Sequence, residues 1–86
     1  MMDFESRVEA TARLLLAAAR EAGMAVTGDE RVGEADAAAL LGFGNPCSLK
    51  NARSEGRAPD FYRVAGRVTY RIQDLAHWLE TAREPS

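Results

Sequence analysis

The sequence predicts a small, mostly α-helical protein with one β-hairpin. Apolar residues recur at helical spacing over residues 3–22 and again over 74–82. Residues 61–72 alternate apolar and polar side chains around a two-residue break at Ala65-Gly66. Between them, Gly42-Phe43-Gly44-Asn45-Pro46 and Gly56 divide residues 34–55 into two short helices.

A chain of 86 residues builds one core and buries roughly 60–65% of its unfolded surface. The single Cys can form neither an internal disulfide nor a zinc site, which fits a reducing compartment. The longest apolar run, Leu14 to Ala19, is flanked by Arg13 and Arg20 and is far shorter than the ~20 residues a bilayer requires. Asp3 and Glu5 at the start do not suit a secretory signal. A cytoplasmic protein with no membrane partner is therefore expected.

Net charge is −2, but it is unevenly placed. Residues 1–42 carry four Arg against eight acids. Residues 43–71 carry Lys50, Arg53, Arg57, Arg63, Arg67 and Arg71 against Glu55 and Asp60 only. Clustered positive charge is the footprint of a polyanionic partner, although a solvated basic face has the same composition. Ten Arg with one Lys and sixteen Ala also match a GC-rich coding bias, so the preference for Arg says little about phosphate.

In the first helix, residues 3–22, Phe4, Val8, Ala12, Leu15, Ala19 and Ala22 share a face, and Gly23 ends it. That face must be covered, either by the rest of the chain or by another protomer, so Phe4, Val8, Leu15 and Ala19 are candidate self-association residues. Residues 24–32 read as a linker with turn chemistry at Thr27-Gly28-Asp29. The second helix spans 34–41, with Glu34 and Asp36 in its first turn. Asn45 caps the third, Pro46 occupies its first position, and Gly56 stops it after Glu55. Its apolar residues are essentially Leu49 and Ala52, so one side rests on the core and the other faces something polar. In the hairpin, strand alternation puts Tyr62, Val64, Val68, Tyr70 and Ile72 inward and Arg63, Arg67, Thr69 and Arg71 outward. Leu75, Trp78, Leu79 and Ala82 form the stripe of the last helix, 74–82. The expected division is 1–31 as N-terminal helix and linker, 32–82 as the main domain, and 83–86 as a tail.

Little here suits catalysis or cofactor binding. His77, the one histidine, lies off the apolar stripe, Cys47 has no histidine near it in sequence, and Gly42-Phe43-Gly44 lacks the context of a dinucleotide loop. No enzyme activity, metal, cofactor or small-molecule ligand is expected. What remains is an order of elements: two short helices joined by a glycine turn, an Arg-bearing hairpin and a closing helix. This is the order of a winged helix-turn-helix, here preceded by an extra amphipathic helix. The third helix would read base edges in the major groove through Ser48, Lys50, Asn51 and Arg53, and Arg57, Arg63, Arg67, Thr69 and Arg71 would hold the backbone from the turn and wing.

Leu40-Leu41-Gly42-Phe43, then Ser54-Glu55-Gly56-Arg57-Ala58-Pro59, then the run from Tyr62 through Gly66-Arg67 to Asp74-Leu75-Ala76-His77-Trp78-Leu79 resemble the excisionase and AlpA-like small winged helix-turn-helix proteins of the MerR-type superfamily. The resemblance covers about residues 32–80. The turn before the third helix is one residue longer than the commonest pattern. Gly33 and Gln73 replace the usual hydroxyl caps. The resemblance implies a bacterial or phage-encoded DNA-binding protein, either an excisionase (recombination directionality factor) or a transcription regulator. Its implied partners are double-stranded DNA and an integrase or another DNA-bound protein; self-association on DNA is expected because an 86-residue monomer contacts too little DNA for high affinity. The alternative is a protein-binding adaptor on the same fold, like a phage packaging small subunit. Net acidity and the extra N-terminal helix favour that alternative, and the basic central third favours DNA.

Overall fold

Asp3 starts the first helix, α1 (Phe4–Glu21), by accepting a 2.8 Å hydrogen bond from the Ser6 N–H. A computed structural model describes residues 3–85. After α1 come strand β1 (Arg31–Gly33) and helices α2 (Glu34–Leu41) and α3 (Pro46–Ser54). Strands β2 (Tyr62–Val64) and β3 (Arg67–Arg71) and helix α4 (Ile72–Ala82) complete the chain. The Asn45 side chain caps α3 by accepting from the Cys47 N–H at 2.9 Å. Gly42 and Gly56 bracket α3 at φ +88° and +74°. Such backbone strains any residue with a Cβ, so these two glycines fix where α2 and α3 end. Among the described residues no helix is long and apolar enough to cross a membrane.

The segment expected as a linker is partly a strand. β1 pairs antiparallel with β3, setting Val32 opposite Tyr70 and Arg31 opposite Arg71, and the sheet order is β1-β3-β2. A turn closed by the Glu30 N–H to the Thr27 carbonyl, 2.9 Å, delivers the chain into β1. The Ile72 N–H, 2.8 Å from the Glu30 carbonyl, extends this pairing to the start of α4. Three residues of unremarkable composition give no strand periodicity of their own; pairing with β3 imposes the conformation. α4 also starts two residues earlier than expected, at Ile72, directly off β3.

The expected facing of the hairpin needs correction. Ala65 and Gly66 both have positive φ, the geometry of a tight two-residue hairpin loop, and Val64 pairs with Arg67. Cross-strand partners share a face, so a two-residue loop reverses the alternation between the strands. Arg63, Val68 and Tyr70 therefore share the core side, with Arg63 out beyond the core. Tyr62, Val64, Arg67, Thr69 and Arg71 share the outer side. Val64, expected inside, is 48% exposed, and Arg63 does not share a face with Arg67 and Arg71.

One core serves all the helices and the sheet. Val8, Leu15 and Ala19 of α1, Val32, Ala37, Ala38, Leu49, Tyr70, Ile72, Leu75 and Ala76 form a single buried cluster. α1 lies chiefly along α4, where Arg7 Nε and Thr11 Oγ1 donate to the Glu80 carboxylate at 3.3 and 2.9 Å. The stripe proposed for self-association is thus covered by the chain itself. Val8, Leu15 and Ala19 are buried, and the Phe4 ring meets His77 edge-on at 5.1 Å. The expected boundary between residues 31 and 32 falls inside β1, and α1 belongs to the common core.

Candidate functional site

Helix α3 buries Leu49 and Ala52 and exposes the opposite side, where Ser48, Lys50 and Asn51 all face solvent. This is the two-sided helix the sequence implied. A shallow, open groove of roughly 590 Å³ runs between the start of α2, α3 and the hairpin tip. Lys50, Arg63 and Arg67 line it together with Glu34, Asp36 and Arg53. Among the described residues Lys50, Arg63 and Arg67 form no salt bridge. Their charge is available to an anion in the groove.

Arg53, counted with the reading residues, lines the groove but is committed to a partner within the chain. Its Nε and NH2 donate to the two Glu34 oxygens at 2.7 and 3.1 Å, and its side chain is only 14% exposed. The Tyr70 hydroxyl donates to the same Glu34 Oε2 at 2.7 Å. The Arg53 hydrogen bonds hold the Glu34 carboxyl below the usual carboxylate range, against the opposing effect of its own burial. Burial first, and the hydrogen bond to Glu34 second, push the Tyr70 hydroxyl well above the ordinary phenol range. The Arg53 guanidinium also lies over the Phe61 ring, 5.5 Å from its centre.

The outer sheet face carries a second network. Arg31 and Arg71 are direct cross-strand partners, a like-charge pairing that disfavours the sheet on its own. Asp29 relieves it. Arg31 Nε donates to both Asp29 oxygens at 2.9 Å, and Arg71 NH2 donates to one at 3.1 Å. The hydrogen bond from Thr27, 2.6 Å long, and those from the two arginines hold the Asp29 carboxyl far below its ordinary value. Both guanidiniums approach the Tyr62 ring, at 5.6 and 4.9 Å from its centre, and Arg31 NH1 also donates to Thr69 Oγ1 at 2.9 Å. Thr69 and Arg71 are therefore partly committed within the chain. Arg67, at the exposed tip, is not.

Arg57 is exposed and pairs with Glu55, while its carbonyl accepts from Trp78 Nε1 at 3.2 Å. That bond ties the turn after α3 to α4. Of the expected site residues, the structure brings Lys50, Arg63 and Arg67 to one groove with Ser48 and Asn51 on the adjoining helix side. Arg53 lines that groove as well but is tied to Glu34, and Thr69 and Arg71 lie farther along the outer sheet face that Arg67 shares. Sequence reasoning missed Glu34, Tyr70, Asp29 and Arg31 as polar anchors. Glu34 lies 19 residues from Arg53 and 36 from Tyr70, so no local spacing announces the trio. Cys47 is a free, exposed thiol, and among the described residues no group of three or more His, Cys, Asp or Glu could hold a metal ion. Comparison with family models, with curated proteins and with solved structures finds no match to this chain.

Proposed function

We propose that this protein is a sequence-specific double-stranded DNA-binding protein of winged helix-turn-helix type, with α3 as the reading helix and the β2–β3 hairpin as the wing. By the resemblance of its motifs, its role is excision of a mobile element or control of that element's genes. The observation that carries the reading is the pairing of α3's exposed polar side with the groove lined by Lys50, Arg63 and Arg67. α3 is an α-helix, and a helix diameter of roughly 10–12 Å with side chains suits a major groove about 12 Å wide. Asn51 offers both a donor and an acceptor, the combination that reads adenine, and Ser48 and Lys50 flank it. Arg63 and Arg67 lie where phosphates beside that groove would run, and Arg53 already neutralises Glu34.

The test is selection from a random duplex library, followed by titration of the selected and a scrambled duplex at several salt concentrations. Asn51→Ala should lower the preference for the selected duplex by ~1–3 kcal/mol and leave the scrambled one alone. Arg67→Ala should weaken both duplexes and flatten the slope of log affinity against log salt by about 0.9. Failure of the wild-type protein to enrich any sequence would remove the reading.

A further inference from the structure

We infer that Glu34 and Arg53 are positioning residues that set the roll of α3 about its own axis and its separation from the hairpin, and that DNA discrimination depends on them although neither touches DNA. This rests on the DNA-binding reading above for its functional half. Its structural half stands alone.

α3 is held by little. Leu49 and Ala52 are its buried residues, and two apolar anchors on a nine-residue helix set its distance from the core without fixing its roll. A planar guanidinium bound through two nitrogens to both oxygens of one carboxylate resists that rotation, because both bonds must stay in plane. Arg53 makes this two-point contact from the last turn of α3, and Glu34 receives it in the first turn of α2. Tyr70, fully buried on β3, donates to the same carboxylate, so one acidic side chain joins α2, α3 and the sheet. β3 carries Arg67 and pairs directly with β2, which carries Arg63. The distance from Lys50 and Asn51 to Arg63 and Arg67 is thus fixed through Glu34.

Two rival roles make opposite predictions. If Arg53 were a phosphate contact, its loss would flatten the salt dependence. If Glu34 merely repelled DNA from the groove, its neutralisation would tighten binding. The experiment compares wild type, Glu34→Gln and Arg53→Gln as full-length chains, in amide hydrogen exchange without DNA and in the two-duplex salt titration. Glu34→Gln should accelerate exchange in α3 about tenfold relative to α1 and α4. Both variants should lose about tenfold in discrimination between selected and scrambled duplex, the effect of mis-set base contacts, with the salt slope unchanged. Exchange in α3 unchanged by Glu34→Gln would overturn the inference whether or not the protein selects a DNA sequence. A slope lowered by about 0.9 in Arg53→Gln with discrimination intact would overturn it in favour of a direct phosphate contact. Tighter binding of both duplexes by Glu34→Gln would overturn it in favour of simple repulsion. If the wild type selects no sequence, the DNA-binding reading fails separately, and the exchange result alone decides whether Glu34 holds α3.

Discussion

Leu49→Ala tests how α3 is held. Leu49 is fully buried, and the only other buried residue of α3 is Ala52. The substitution removes three carbon atoms, worth about 2.4 kcal/mol of transfer free energy at ~0.8 per carbon. A cavity adds to that cost when the surroundings cannot close over it. α3 packs chiefly on α2, whose buried residues are Ala37 and Ala38, side chains too short to fill the gap. The loss should therefore reach about 3–4 kcal/mol, inside the range found for buried Leu-to-Ala changes. An 86-residue protein has roughly 4–13 kcal/mol in total, so the variant stands near the edge of folding. The measurement is urea unfolding followed by far-UV circular dichroism and Trp78 fluorescence. A midpoint shift at constant slope gives the energy, and the melting temperature should fall by roughly 12–30 °C. A loss below about 1 kcal/mol would refute the account of Leu49 as the anchor of α3.

The acid limb of stability should follow the carboxylates whose affinity for protons is depressed by folding. Glu34 and Asp29 are both lowered, so their contribution is complete above the ordinary carboxylate range near pH 4 and disappears as pH falls below it. The denaturation midpoint should stay level from pH 7 to about 5 and then drop, and Glu34→Gln should make the drop shallower; a midpoint flat to pH 2 would contradict this. Deleting residues 1–23 should destabilise the whole protein and expose the apolar side of α4, because Val8, Leu15 and Ala19 belong to the shared core; a truncated chain that melts at the wild-type temperature would show that α1 is dispensable.

The helices were legible because their signals are local. Asn45 caps, Pro46 opens, and Gly42 and Gly56 close, each acting on neighbours within a few residues. The two-sided character of α3 was also legible, since Leu49 and Ala52 lie three apart on one side and Ser48, Lys50 and Asn51 fall on the other. What escaped was non-local. β1 has no periodicity and exists through pairing with residues 69–71. The facing of Arg63 depends on how many residues the loop holds, and counting alternation straight through Ala65-Gly66 as if the strands were continuous gives the wrong side. Arg53 looked like one more exposed cation until its partner appeared across the fold in α2.

The packing of α1 along α4 has a temporal consequence during synthesis. Arg7 and Glu80, which bridge the two helices, are 73 residues apart. At 5–20 residues per second, roughly 4–15 s separate the appearance of one from the other. Throughout that interval the emerging chain carries Val8, Leu15 and Ala19 without α4, their chief cover, and for most of it the β3 partner of β1 is also still to come. The packing of α1 is therefore completed only once α4 has emerged. Any delay or truncation late in translation would leave a nascent chain exposing its whole first helix to chaperones and proteases.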